Sequence, residues 1–597
     1  MLEIIILISL FWLPAIVVVW RNILWDLYLW QIKEYRINKM ISHLLFQEED
    51  PKYSTPIYII KVISLILLLL YLLDLRQNFL LVCIVIVFIV YIVEFLINLQ
   101  LSIGKRLILP EISVRSLLVL SLSFITILIP LSVILYFQTS IYLYIGSNSF
   151  IAIEMGNTIN LLPREVGDII VFPSITIALL FSTIFMLVTD LVTPIIVSIY
   201  VFATEPFAFI KRYFLIRKAK AKVAQLKNLK IVGITGSFGK TVTKEMLYQL
   251  LKKYFRVAQT LQNYNSAVGI AKAVLKEIKI NTQVFIAEMG AYDKVEVKKS
   301  TDIVKPDISI ITGIDNQHLT LFGSIDNIIK AKFEIIRNAK KNTKVILNGD
   351  NEYCIRIAGM TDREKLIYFT VSDDSKVVTT NGVVRRDIYK FPRDTSIFAS
   401  SIKETNRGIK FNLHFLDKKY KLETNIQGSF NVLNLLAAIA CCLALNLEMN
   451  DIVKTINNTK FKLPYLNRKN GLHSTIILDD GYNINSTGFL AALDELKKIN
   501  NNRKLIMTKG IIELGWEKEK VYKKIAKKIV NICDGIITSD HKLIEQIKKV
   551  KKDFNIYVAK DIGSFIKGYN KMVKANAIVL LEGPMYTEVI NEILDIN

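Results

Sequence analysis

At 597 residues and 52% hydrophobic content, the chain is too long for one core, and several domains are expected. Its formal net charge of +23 is unevenly laid out: residues 1–210 carry 11 Lys/Arg against 14 Asp/Glu, and residues 211–597 carry 65 against 39. The lysines of the basic half are scattered through helical stretches such as 518–528 without an aromatic-basic signature, which argues against nucleic acid, and five cysteines without C-x-x-C spacing argue against a disulfide frame or zinc site.

A membrane span needs about 20 mostly apolar residues. Residues 2–20, 57–73, 79–99, 116–137 and 169–188 meet that need, and the first lacks the basic lead and cleavage site of a signal peptide. A further apolar run, 191–203, is short and ends at Glu205-Pro206, which suits an interfacial segment. With the N-terminus outside, loops 21–56 and 100–115 lie inside with eight Lys/Arg, against two in loops 74–78 and 138–168. Residues 1–210 are thus expected to form a transmembrane bundle of five spans that delivers residue 211 to the cytoplasm. Glu94 stands out as an ionisable group inside an apolar run. Residues 211–229 follow as a basic linker: 211–230 hold eight Lys/Arg and no acid, interleaved with Tyr213, Phe214, Leu215 and Ile216, the pattern of a helix on the cytoplasmic leaflet. The localisation expected is therefore the cytoplasmic membrane, multi-pass, with the lipid bilayer as a partner.

The next stretch carries the chemistry. Ile231–Ile234 reads as a buried strand, Lys240 onward as a helix, and Thr235-Gly236-Ser237-Phe238-Gly239 lies between them. Glycines there let backbone N–H groups close on a phosphate at a helix N-terminus. Lys240 would reach the terminal phosphates of ATP and Thr241 would place its hydroxyl on Mg²⁺. The general P-loop pattern has Gly five residues before Gly239, where this chain has Ile234.

Beyond the loop, strand-like 284–288, 307–312 and 344–348 alternate with helical patterns, which predicts a parallel α/β sheet in an ATP-binding domain spanning 230–465. Ligands bind at the carboxyl ends of such strands. Glu288 at one end is placed to hold Mg²⁺. His318 follows another strand, as a metal ligand or a phosphate contact, and Asn348-Gly349-Asp350 closes a third, as a turn or a ribose or base contact. Lys332, read alone, is a surface lysine. Residues 366–425, rich in β-branched residues and turns, read as a strand-rich flank. From 466 to 597, strand-like 475–478, 504–508, 535–538, 555–559 and 577–582 predict a second, Rossmann-like α/β domain.

Together these motifs resemble the Mur ligase family: Thr-Gly-Ser-x-Gly-Lys-Thr, Gln262-Asn263-Tyr-Asn265, Glu288-Met-Gly, Asn316-Gln-His318, Ala-Lys332, Asn348-Gly-Asp350, and Gly428-Ser-Phe-Asn431-Val-Leu-Asn434 occur in that family's order. The type that looks nearest adds D-alanyl-D-alanine to UDP-muramoyl-tripeptide, in a membrane-spanning branch. The resemblance covers about 230–597 and implies amide-bond formation in peptidoglycan precursors. It implies that Thr235, Gly236, Ser237, Gly239 and Lys240 hold the phosphates of ATP. Thr241 and Glu288 would bind Mg²⁺, and His318 would ligate or orient a second ion. Lys332 matches a lysine that many members carbamylate with CO₂, which makes it a further metal anchor. Asn431 and Asn434 would contact adenine, and Asn348 and Asp350 the nucleotide region. Asp479, with Tyr482, Asn483 and Asn485, matches a segment carrying nucleotide and substrate contacts, and Asn263 and Asn265 would touch substrate.

Three departures mark the chain. Phe430 stands where the family often has His, Glu582-Gly583-Pro584 occupies the place of a late Lys-Gly-Ser-Arg, and the UDP-sugar-gripping N-terminal domain is replaced by the apolar region. The chemistry implied is phosphorylation of a carboxylate by Mg²⁺-ATP, then attack of an amine on the acyl phosphate, with Lys240, His318 and Lys332 at the reacting centre. Rival readings are an ATP-driven transporter or flippase, a nucleotide-binding scaffold without activity, and a folylpolyglutamate-type ligase. Neither the amine nor the oligomeric state is legible.

Overall fold

The computed structural model describes residues 2–32, 35, 40, 55–74, 77–103, 110–127, 164–261, 264–291, 295–315, 322–371, 376–379, 382–385, 396–405, 408–463, 467–481, 486–499, 503–511, 514, 518–583 and 585–595. It divides into two compact units, Met1–Lys211 and Arg212–Asn597, so the boundary falls inside the helix Glu205–Gln225.

The first unit is helical. Helices run over Leu2–Ile32, Thr55–Asp74, Gln77–Ile103, Val114–Ile127 and Arg164–Ala203. The last is one helix of 40 residues, so the run 191–203 continues the fifth apolar segment and is not a separate interfacial piece. Pro194 does not break it. Ser198 Oγ donates back to the Pro194 carbonyl one turn earlier (2.7 Å). Among the described residues, Leu180–Gln225 is the one stretch long and apolar enough to cross a membrane.

Around an apolar core that includes Trp12, Val18, Leu27 and Val87, this unit also buries charge and exposes hydrocarbon. Ile63, Ile66, Ile86, Ile89, Val93, Phe181, Ile195 and Ile199 are exposed, whereas Lys61, Glu94 and Asp190 are buried. Lys61 Nζ bonds Glu94 Oε2 at 2.5 Å and also Asp190 Oδ2. Asn22 Nδ2 donates to Asp190 Oδ1 (2.6 Å) and Tyr91 OH to Asp190 Oδ2 (3.3 Å). Glu94 is therefore no isolated ionisable group. Four helices contribute to one ion network, and the pairing keeps these charges tolerable away from water.

In the second unit a nine-stranded sheet is formed by β1 (Lys230–Thr235), β2 (Val257–Gln259), β3 (Val284–Glu288), β4 (Ile308–Ile311), β5 (Lys344–Asn348), β6 (Leu366–Thr370), β9 (Ser396–Thr405), β10 (Gly408–Phe415) and β11 (Lys418–Thr424). Its order is β11-β10-β9-β6-β5-β4-β1-β3-β2, with β7 (Lys376–Thr379) and β8 (Gly382–Arg385) as a separate hairpin. The pairs from β2 to β9 are parallel, and β9, β10 and β11 pair antiparallel. Neighbours on a strand face opposite sides. Val232, Ile234, Ile286 and Ile310 therefore pack under helices Lys240–Leu251 and Asn431–Ala444, and Ile231, Phe285, Ile311 and Val345 under Ala267–Glu277 and Ile325–Arg337. Ala219 of the basic helix is buried in the latter core, and Lys222 Nζ caps Leu275 and Ile278 carbonyls at 2.9 and 2.7 Å. One side of that helix thus docks on protein, while Phe207, Phe209, Tyr213 and Phe214 remain exposed.

A second sheet follows: β12 (Asn467–Gly471), β13 (Thr475–Asp480), β14 (Lys504–Thr508), β15 (Gly535–Thr538), β16 (Ile556–Val558) and β17 (Ile578–Glu582), ordered β12-β13-β17-β14-β15-β16. All pairs are parallel except the antiparallel edge β12. Both α/β sheets agree with the alternation read from sequence.

Candidate active site

β1 lies in the middle of the larger sheet, between β3 and β4, so the loop leaving it opens at the carboxyl ends of parallel strands. Two glycines shape it. Gly239 has φ +77° and precedes the helix, and a Cβ there would stand 2.3 Å from Asn434 Oδ1. A Cβ on Gly236 would stand 2.1 Å from Thr312 Oγ1. Only bare backbone fits.

The loop is held from behind by its neighbours. Thr235 Oγ1 donates to the Met289 carbonyl (2.8 Å), and Ser237 N to the Gly313 carbonyl (2.7 Å). Thr312 Oγ1 donates to the Phe238 carbonyl (2.5 Å), and Asp315 N to Ser237 Oγ (3.0 Å). The Phe238 ring lies against Gly313, where a Cβ would come within 2.2 Å of it. This bracing fixes the N–H groups before any anion arrives.

Lys240 Nζ donates to the Gly236 carbonyl (2.7 Å), and burial holds its pKa below the usual lysine value against the pull of nearby Glu288. One residue on, Thr241 Oγ1 donates to Glu288 Oε1 at 3.0 Å. A hydroxyl and a carboxylate side by side are hard oxygen donors. Among the described residues no cluster of three His, Cys, Asp or Glu joins them. That set fits Mg²⁺, which takes one or two protein oxygens and fills the rest with water and phosphate.

Lys332 is buried on the helix Ile325–Arg337. Burial, and after it the Lys240 cation, hold its amine well below the usual lysine range. It is no surface lysine. Cys354 is buried near it, its thiol pushed up to about 12 by burial.

The structure draws Thr235, Gly236, Ser237, Gly239, Lys240, Thr241 and Glu288 into one place, with Lys332 close enough to Lys240 for their charges to interact. Asn348 supports it from β5, its Nδ2 donating to the Thr312 carbonyl (2.9 Å). Asn434 meets Gly239 and accepts from Thr243 Oγ1 (3.3 Å), and its Nδ2 donates to Asn431 Oδ1 (2.9 Å). Asn431 is fully buried, with its Nδ2 on the Gln427 carbonyl. Asp350 spends both carboxylate oxygens on β6, accepting from Thr370 Oγ1 (2.6 Å) and Val371 N (2.7 Å). Asp479 pairs with Lys469 at 2.6 Å, and the Asn265 carbonyl accepts from Gly290 N (2.7 Å). Asn263, His318, Tyr482, Asn483 and Asn485 lie outside the described residues.

Sequence reading passed over Asn351. Its side chain pairs with both N–H and C=O of Ile314 (3.2 and 3.0 Å) and caps the next helix at Cys354 N (3.1 Å). Asn before Glu352 is a cap signal that could have flagged it.

Three comparisons with known proteins bear on this region. A family model described as Mur ligase middle domain matches residues 234–442. The UDP-N-acetylmuramoyl-tripeptide–D-alanyl-D-alanine ligase of Buchnera aphidicola (subspecies Baizongia pistaciae) is 28% identical over 375 residues, which is 62% of this chain and 75% of that protein. The protein of the same name from Bacillus subtilis is 27% identical over 326 residues, 54% of this chain and 63% of its own length. Among solved structures, MurF from Acinetobacter baumannii superposes with a TM-score of 0.54 at 23% identity, covering 64% of this chain and 80% of that one. MurF from Thermotoga maritima, solved with ADP, superposes at 0.52 with 20% identity, covering 64% and 83%. These two likenesses speak to fold alone.

Proposed function

Since the chain belongs to the Mur ligase family, whose members are ATP-dependent, ADP-forming amide ligases, we propose that it joins an amine to the carboxylate of a membrane-associated peptidoglycan precursor. The observation that carries the nucleotide half is Thr241 on Glu288 beside the braced loop. Loop N–H groups and Lys240 bind the terminal phosphates of ATP and orient the γ-phosphoryl group toward the substrate carboxylate. Thr241 and Glu288 would hold Mg²⁺, with His318 and Lys332 as the further ligands that the family resemblance implies, and the ion would neutralise phosphate charge. The carboxylate oxygen takes the γ-phosphoryl group as ADP leaves; an amine then attacks the acyl carbon of that acyl phosphate, phosphate departs, the nitrogen loses a proton, and an amide remains. Burial and the Lys240 cation both favour the neutral amine of Lys332, the form that carbamylation by CO₂ requires.

The apolar outer face of the first unit supports a place in the cytoplasmic membrane, with the catalytic domains inside the cell and the precursor lipid-linked. The amine includes D-alanyl-D-alanine as a candidate, the dipeptide in the names of the relatives. The test is mass spectrometry of products from the purified full chain, given ATP, Mg²⁺, candidate amines, and either lipid-linked or UDP-linked muropeptide. Amide product with stoichiometric ADP is expected. Lys240→Met should slow it by about 10²–10³-fold. Equal use of the soluble UDP-linked precursor overturns the lipid-linked substrate, and ADP release without amide overturns the ligase.

A second reading, an ATP-driven transporter, draws on the Lys61, Glu94 and Asp190 network inside an apolar coat. It requires ATP hydrolysis that depends on lipid and not on amine, which the same assay measures.

A further inference from the structure

Lys244 lies one turn below Lys240 on the same helix and has no solvent exposure. Lysine is almost never fully buried unless paired, because removing an ammonium from water costs several kcal/mol. Its partners explain it. Nζ donates to the Thr260 carbonyl (3.0 Å) and stands 3.3 Å from Glu288 Oε2 and 3.6 Å from Glu245 Oε1.

Glu288 is thereby held at both oxygens. Oε1 accepts from Thr241 on the loop side, and Oε2 meets the ammonium on the core side. Thr260 ties the two together. Its carbonyl receives Lys244, its Oγ1 accepts from Glu288 N (3.0 Å), and its own N–H donates to the Ile286 carbonyl (2.9 Å). If the carboxylate rotated away from Thr241, the buried ammonium would lose the nearer of its two carboxylate partners and keep only the Thr260 carbonyl and Glu245.

We infer that Lys244 is a positioning residue for the metal carboxylate, fixing Glu288 so that Oε1 and the Thr241 hydroxyl present one oxygen pair to Mg²⁺. This rests on the proposed nucleotide site and adds to it the residue that sets its metal affinity. Partners of this kind behind a metal ligand change affinity by about 10–100-fold when removed.

The test measures binding, not turnover. In the full-length chain purified in detergent, affinity for a non-hydrolysable ATP analogue is titrated against Mg²⁺ in wild type, Lys244→Met, Glu288→Gln and the double variant. Lys244→Met is expected to raise the Mg²⁺ concentration for half-maximal binding at least about tenfold, with metal-free nucleotide affinity unchanged within about twofold. In the Glu288→Gln background the same change should add less than about twofold. Glu245→Gln is expected to leave the Mg²⁺ requirement in place, since the Glu245 carboxylate is taken up with Gln259 Nε2 and Lys244, while the Thr241 hydroxyl bonds Glu288. Wild-type Mg²⁺ dependence in Lys244→Met overturns the inference. Absence of Mg²⁺-dependent binding in wild type overturns the site itself. If Lys244→Met does not fold, thermal melts decide: recovery in the double variant supports the pairing, and equal failure assigns Lys244 to packing alone.

Discussion

The two units share an apolar interior and differ at their surfaces. Arg212–Asn597 leaves most lysines at the surface; Met1–Lys211 buries Lys61, Glu94 and Asp190 along with Trp12, Val18, Leu27 and Val87, and turns Ile, Val and Phe outward as well. On the proposed membrane placement one rule covers both patterns: each region hides what its surroundings solvate poorly, hydrocarbon in water and charge among lipid chains.

The sharpest way to break the contrast is to remove the cation in the first interior. Lys61→Met leaves Glu94 and Asp190 buried without it, at an expected cost of about 3–5 kcal/mol, whereas combining it with Glu94→Gln and Asp190→Asn should recover most of the loss. Thermal unfolding in detergent measures both. An interior that tolerates Lys61→Met as easily as the triple change would mean the network holds nothing together.

A smaller effect sharpens it from outside. Ile63 and Ile280 are both exposed isoleucines, 49% and 93%. Ile280→Asp should alter stability by no more than about 0.5 kcal/mol, as surface changes in water do. Ile63→Asp should cost about 2.5–3.5 kcal/mol of membrane insertion near a bilayer centre. Insertion assays that rank the two alike would contradict a lipid-facing first unit.

The smallest difference lies in how each unit handles paired acids. Glu94 and Asp190 share a lysine, but Glu582 faces Asp480 at adjacent strand ends, and burial followed by the Asp480 charge holds the Glu582 carboxyl well above its ordinary 4.5. A carboxyl raised on folding stabilises fully below its unfolded pKa and loses that contribution as pH rises through the folded value. The melting temperature should therefore fall as pH rises above the ordinary carboxyl value of 4.5, and Glu582→Gln should flatten that slope. Parallel slopes in both proteins would remove Glu582 from the account.

These differences also separate what could be read early from what could not. The loop at 235–241 was legible because phosphate binding needs bare backbone at a helix N-terminus, which restricts residue types locally. Glu288 was legible as a strand-end acid. Lys332 was not, because a lysine on an amphipathic helix looks exposed until its face is known, and the likeness to a family drew attention to it. Asp350 has the look of a ligand contact, yet its oxygens are taken by Thr370 and Val371, partners supplied by a strand formed twenty residues later.

By itself the sequence determined the apolar and basic halves, the alternation of strands and helices, and the phosphate loop, since composition, periodicity and glycine spacing act over a few residues. Tertiary structure alone decided that Lys61 meets Glu94 and Asp190, 33 and 129 residues away, and that Lys244 turns inward to Glu288. Periodicity says which face of a helix is buried. Only the packed chain says what waits on the other side, and a charge survives burial only where its counter-charge is already there.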